Sequence, residues 1–476
     1  MKKIGIFFSI FIFTSAFSKE LTLKEAIDIA LKNSYQLKAA KKLLKSKEFE
    51  YKATKGLKWP TIKFNEMFMR TNVAGWAMMN ELNQHRLTMM SSAKYVDMTS
   101  MNAMFGMPMF NSPSFPEWNN WQTKLDLQFP LYTAGKISTG IKMRKKEYEA
   151  TKKDVKRTQQ KVIYDVSKAY YGALLAKEAI KLANQAYKTV EKHYKTAKAM
   201  YENGLAIYAD VLRAKVYLMD VKSKITEAKN HYLIAKKGLL LAMGVDDKNP
   251  ADIEIVGDLT FKDTEKDVDY WEYYAITHRP DFIALKERVE NAKRMVKFVK
   301  ADMYPMVGVF ASYQMDDKKI PLGSDGTGWT AGIALTWKIF DGFQTVNKYK
   351  AAKETYKYYS HQKKGFKEFI KFSVYQAYAN LQTAKEKLKT AEQNVVWAEE
   401  VLKITETRYK NQMASMIDLL DTQTMHDKIK FEKAKATYDA NIALLELLFQ
   451  AGALEKEVLE KENNEITEEI NNEKSN

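Results

Sequence analysis

The chain contains no cysteine, only nine prolines and only 19 glycines in 476 residues. The first absence excludes disulfide scaffolds, thiolate zinc sites, iron–sulfur clusters and cysteine nucleophiles. The scarcity of the other two argues against a loop-rich or disordered chain. Six histidines (His85, His193, His231, His278, His361, His426) form no H-E-x-x-H and no i, i+4 pair, and there is no Walker loop or GxSxG elbow. The chain therefore reads as a non-enzyme, with no cofactor expected. Beyond the N-terminus no run of about 18 apolar residues occurs, which excludes a helical membrane span. It does not exclude a β-barrel, whose signal per strand is far weaker. The net charge of +17 comes from lysines spread along the chain, as on solvated helix faces, so nucleic acid is not an expected partner.

What is present begins with an address. Lys2 and Lys3 precede an apolar run from Ile4 to Phe13, and Thr14 to Ser18 follows with small residues at 16 and 18. This is the layout of a secretory signal with cleavage after Ser18.

The rest of the chain is written twice. Val166, Ala169, Tyr170 and Ala176-Lys177-Glu178 recur 208 residues later as Val374, Ala377, Tyr378 and Ala384-Lys385-Glu386. The same shift carries Tyr201, Asn203, Asp210 and Gly244 onto Tyr409, Asn411, Asp418 and Gly452. Upstream, Ala30 and Pro60 match Ala275 and Pro305 at a shift of 245, so the first copy carries a 37-residue insertion.

Each copy has one grammar: a helical stretch (Leu23 to about Lys58; Tyr270 to about Met303), two short segments of period-two alternation, then a very long helix, a tight turn and a returning helix. Leu125, Leu127 and Phe129 alternate with Lys124, Asp126 and Gln128. Met306 to Met315 and Thr330 to Trp337 alternate likewise, while Thr61 to Arg70 matches least well because Glu66 interrupts Ile62, Phe64 and Phe68. Ten tilted residues are about what a membrane strand requires. Trp59, Tyr132, Tyr304 and Phe340 at one end, with Trp118, Trp121 and Trp329 at the other, suit an interfacial girdle. From Lys136 to Asn203 a helix would reach about 100 Å, with Ile163, Val166, Ala169, Tyr170, Ala173 and Leu174 as its packed face. Gly204 and Asn411 mark the two turns, and Gly244 a C-cap.

The expected organisation is a signal peptide at 1–18, a first repeat at 19–244 with a long methionine-rich external loop at 71–120, a linker at 245–269, a second repeat at 270–454, and an acidic, frayed tail at 455–476. Four strands per chain leave two unpaired edges, which cannot face hydrocarbon. Several chains must then share one closed barrel, continuous with a sheath of helices, although the physics does not fix their number. The rival reading is a secreted coiled-coil structural or adhesion protein with soluble hairpins.

The sequence resembles the TolC-like outer-membrane efflux proteins over the whole mature chain. Leu21 to Ala26 with Asn33-Ser34 is similar to the family's opening, Pro130-Leu131-Tyr132-Thr133-Ala134-Gly135 to its strand-to-helix step, and Asn411 to Asp421 to its periplasmic helical turn. The resemblance implies a homotrimer: a 12-stranded barrel in the outer membrane, fused to a coiled-coil tunnel of 12 helices crossing the periplasm. It also implies docking through a periplasmic adaptor to an inner-membrane pump, in efflux or type I secretion, as a passive exit for small molecules, metal ions or polypeptides.

Candidate gate residues follow. Asp418 and Asp421 lie three apart at a helix start, and repeated around a ring such carboxylates concentrate cations. They resemble the family's acidic ring at the tunnel entrance. Ser415-x-x-Asp418 also matches a capping box, an alternative that stays open for Asp418. The family's closed state is held by a Tyr and an Arg on one side and an Asp on the other. Tyr409 and Asp210 match two of these, whereas the Arg position is Ala414. The insertion holds 11 of the 23 methionines between Met67 and Met109. Thioethers at Met67, Met69, Met107 and Met109 could take Cu(I) or Ag(I), but with no His or Cys beside them an adaptable external loop is the stronger reading.

Overall fold

The computed structural model describes residues 19–88, 117–245 and 248–456. The signal segment, Met107, Met109 and most of the acidic tail lie outside them. The chain is mostly helical and divides into two compact units, one of Met1–Lys45, Glu149–Glu287 and His361–Asn476, the other of Ser46–Tyr148 and Arg288–Ser360.

In the first unit, a short strand β1 (Lys19–Leu21) leads into α1 (Leu23–Asn33). Thr22 and Glu25 cap this helix reciprocally: Glu25 N donates to Thr22 Oγ1 at 3.3 Å and Thr22 N to Glu25 Oε2 at 3.0 Å. The chain breaks at Ser34 before α2 (Tyr35–Gly56), where the sequence had suggested one continuous helix. The same break recurs at Arg279, between α6 (Val268–His278) and α7 (Pro280–Lys300), because a residue before proline avoids the helical region. Two helical hairpins follow the same lengths: α4 (Lys136–Glu202) and α5 (Tyr208–Met243) have 67 and 36 residues, and α8 (Gln344–Lys410) and α9 (Met416–Ala451) again 67 and 36. The expected face of α4 is buried, with Ile163, Val166, Tyr170, Ala173 and Leu174 in a core shared with Leu239, Trp271, Ile370, Val374 and Leu448.

Two features of this unit had no sequence signal. Strand β4 (Ile253–Ile255) pairs in parallel with β1. The long helices clamp it: Lys177 Nζ donates to Ile255 O at 2.6 Å and Lys236 Nζ to Ile253 O at 2.9 Å. The Tyr170 hydroxyl donates to Leu21 O at 3.1 Å and also to Val256 O. The carbonyl end of α9 is capped with equal care. Arg157 reaches Phe449 O at 2.6 Å, Arg279 reaches Gln450 O at 3.0 Å and Gln160 reaches Gly452 O at 2.8 Å. Burial, with Arg279 beside it, brings the Arg157 guanidinium down to about 10.

The second unit is built on an antiparallel sheet in the order β2 (Thr61–Thr71), β3 (Trp118–Tyr132), β5 (Met306–Asp317), β6 (Gly326–Thr336). Its register gathers one apolar face. Ile62 lies opposite Leu127 and Phe64 opposite Leu125; Leu125 meets Tyr313, Phe129 meets Val309, and Val309 meets Ile333. These side chains are largely exposed, with Ile62, Phe64, Ile333 and Leu335 each at 60–71%. Glu66 shares this face, its carboxylate accepting from the Thr123 hydroxyl at 2.6 Å. The other face carries Lys63, Asn65, Lys124, Asp126, Gln128, Ser312 and Gln314, with Asn65 donating to Asp126 at 3.1 Å.

Among the girdle aromatics, Trp121 packs on Phe68 at 4.7 Å and Trp329 is fully out at 78%. Trp118 departs from expectation. It lies on the polar face, buried, with its Nε1 donating to Gln84 at 3.0 Å and Lys318 Nζ 3.5 Å from its ring centroid. Its partner Gln84 ends a helix that the sequence did not announce, α3 (Ala74–Asn83).

Candidate functional site

The two helical hairpins of the first unit bring their turns together. Ala197 of α4, Ala214 of α5, Leu402 and Tyr409 of α8, and Met416 and Leu419 of α9 form one buried cluster, with Ala414 packed against it. Both turns close by the same geometry. Leu205 N donates to Met200 O at 2.8 Å and Met413 N to Arg408 O at 2.7 Å, each after a residue in the left-handed region. In the first turn that residue is Gly204, at φ 71°. In the second it is Gln412, at φ 61°, one position after Asn411. A side chain there is strained where glycine is not.

Asp418 is occupied in the cap of α9. Its carboxylate accepts from Ser415 N at 2.9 Å and Ser415 Oγ at 2.7 Å, and its own N–H donates back to Ser415 Oγ at 3.1 Å. The Ser415 hydroxyl, with the Ser415 N–H, holds the Asp418 carboxyl below the usual carboxylate range. Asp421 is exposed and makes no hydrogen bond or ion pair among the described residues.

Tyr409 and Asp210 are not joined by a hydrogen bond. Asp210 accepts from Arg213 at 3.2 Å, one turn further along α5. The Tyr409 hydroxyl is buried without a partner. Burial first, and the negative charge of Asp210 second, raise its pKa. A buried unpaired hydroxyl is destabilising, so Tyr409→Phe is expected to raise stability by about 1 kcal/mol and to leave single-channel conductance unchanged. Urea unfolding alongside planar-bilayer recording checks both; a conductance rise would restore Tyr409 as a latch.

His193, on α4, is buried against α9 and α8, with its Nε2 3.3 Å from Gln423 Oε1 and 3.7 Å from Glu406 Oε1. Burial lowers its pKa. Thr424 adds a second tie between the hairpins, its hydroxyl meeting that of Tyr217 at 2.9 Å. Of the methionines, Met67 is exposed and Met69 accepts a long contact from Asn80 Nδ2 at 3.8 Å. No cluster of His, Asp and Glu suited to a metal occurs among the described residues.

A sheet with one apolar, largely exposed face and one polar face thus stands in one chain with two very long helical hairpins. The sequence matches the outer membrane efflux protein family over residues 26–245 and 271–453, and the chain belongs to that family. It is an outer-membrane efflux channel. Among curated proteins none matches it significantly in sequence. Similar solved structures include the outer membrane protein VceC of Vibrio cholerae, 17% identical with a TM-score of 0.71 over 90% of this chain and 96% of that one. The CmeC outer membrane channel of Campylobacter jejuni is 14% identical with a TM-score of 0.73 over 91% and 86%. The open-state MtrE channel of Neisseria gonorrhoeae is 17% identical with a TM-score of 0.70 over 91% and 89%. At these identities the likeness is one of fold.

Proposed function

We propose that three copies of the chain close a 12-stranded barrel and a 12-helix tunnel, forming the passive exit duct of a tripartite efflux or type I secretion assembly. In this reading the helical part projects into the periplasm, where an adaptor and an inner-membrane pump engage it, and small molecules, metal ions or polypeptides leave through the bore. One observation carries the proposal: a four-stranded sheet with a largely exposed apolar face, interrupted by Glu66, and two edge strands, β2 and β6, that pair with nothing further among the described residues. Exposed backbone on both edges is tolerable in hydrocarbon only when sister chains complete the ring. The soluble-hairpin alternative leaves that face without a solvent it can tolerate. The equal lengths of the two helical hairpins support an internal duplication, with repeats at 19–244 and 270–454 joined by a linker at 245–269.

The turns of the hairpins form the periplasmic entrance, and Asp421, once per chain, sets its preference for cations. Asp418 serves the helix cap first. Asp421→Asn is expected to reduce cation-over-anion permeability severalfold in planar bilayers under a salt gradient, with the fold unchanged. An unaltered reversal potential would remove Asp421 from the conduction path. Detergent-dependent extraction and heat-modifiable trimer migration test the assembly itself.

A further inference from the structure

The insertion after β2 opens with α3, and this helix is inside out. At 100° per residue, Ala77, Asn80, Glu81 and the following Gln84 share one side, and all four are buried. Trp76, Met79 and Leu82 lie on the remaining surface and are 60%, 52% and 48% exposed. Polar side chains thus face the protein and apolar ones face away, the reverse of an ordinary surface helix.

The buried side explains the inversion, because it lies on the polar face of the sheet. Gln84 Nε2 donates to Asn120 Oδ1 at 2.7 Å and to Asn119 O at 2.9 Å. Asn120 Nδ2 donates to Asp316 Oδ1 at 2.7 Å and lies 3.4 Å from Asn80 Oδ1. Arg86, just beyond the helix, pairs with Asp325 in the β5–β6 turn at 2.7 Å. The fit is close: a Cβ on Gly326 would stand 1.9 Å from Asn83 O, so only glycine admits the end of α3 here. Next to α3 a cavity of about 710 Å³, lined by Lys124, Asp126, Gln128 and Gln314, marks this as the wet side of the sheet.

On the closed-barrel reading, which this inference rests on, the wet side is the lumen. Twelve strands about 4.8 Å apart and tilted by about 40° enclose a radius of about 12 Å. A helix about 10 Å thick lying against that wall reaches close to the axis. Three such helices fill the bore. We propose that α3 is an outer plug: the copies from three protomers meet across the axis through Met79 and Leu82, flanked by Trp76, and close the channel mouth at the end of the sheet opposite the long helices. The occupant of the exposed apolar side of α3 is therefore α3 of the sister chains.

The absence of cysteine from the chain makes the test direct. Full-length Met79→Cys trimers, oxidised in the outer membrane, are expected to yield a disulfide-linked dimer on denaturing gels, whereas Ile320→Cys, exposed in the β5–β6 turn, stays monomeric. Lumenal access is the second measurement, and it is independent of the periplasmic gate. Lys63→Cys on the polar face of β2 is labelled from outside by a bulky impermeant maleimide. Adding Trp76→Ala, Met79→Ser and Leu82→Ser to that variant is expected to speed labelling at least tenfold. Intact trimers that fail to cross-link at Met79→Cys, or equal labelling rates with and without the triple substitution, overturn the plug while leaving the barrel standing. Failure of the unaltered protein to form trimers overturns the barrel, and the plug with it.

Discussion

Ile333→Arg is expected to abolish assembly into the outer membrane, while Thr330→Arg, three residues away on the same strand, is tolerated. Ile333 stands near the middle of β6, opposite Val309, which itself faces Phe129, so one row crosses three strands on the apolar face. Arginine at the midplane of a membrane strand costs about 2–4 kcal/mol, and in the trimer proposed above the substitution is made three times. Thr330 projects from the opposite, polar face beside Ser312, where a charge meets water. The measurement is the yield of heat-modifiable trimer in outer-membrane fractions. Equal yields from the two variants would mean that the apolar face does not meet lipid.

The second large effect is expected at Gly452, the residue that ends α9. Its φ is 77°, and an added Cβ would lie 3.0 Å from Arg279 Cα. Valine there meets both the left-handed backbone, worth about 1–2 kcal/mol against an L side chain, and overpacking, worth about 1–3 kcal/mol more. The substitution also pushes apart Arg157, Gln160 and Arg279, which together satisfy the last carbonyls of α9. Gly452→Val is expected to lower the thermal midpoint of the protein markedly. Gly238→Ala makes the control: it sits inside α5 with open space around it, so the helix should gain up to about 1 kcal/mol. Similar behaviour of the two variants would mean that the cap geometry matters little.

Much of this molecule can be read from its residues, and the exceptions share a cause. Strand alternation and the long helical faces are legible because apolar burial repeats with the period of the backbone. The capping box at Ser415 and Asp418 is legible because both partners are local. Helix α3 was hidden because its burial is polar: Asn80 and Gln84 find their partners on β3, some 40 residues on. Trp118 falls on the polar face because the unbroken alternation of β3 gives it the parity of Lys124 and Asp126, and Gln84 then accepts from its Nε1. The Tyr409–Asp210 pairing came from the family resemblance alone; the carboxylate instead accepts from Arg213, and the Tyr409 hydroxyl has no partner. Both stretches read as single helices: the break at Ser34 carries no proline, and the one at Arg279-Pro280 lies inside the segment from Tyr270 to about Met303 despite its proline.

The open rims of β2 and β6 bear on the order of events during biogenesis. A lone subunit that slipped into the bilayer would strand two rows of amide groups in oil, at several kcal/mol for each group left dry. On the closed barrel proposed above, subunits therefore meet before or while they insert, and the maturation rate is expected to climb steeply with the local supply of newly exported chains. A cell producing the protein slowly would accumulate waiting intermediates rather than partly inserted ones.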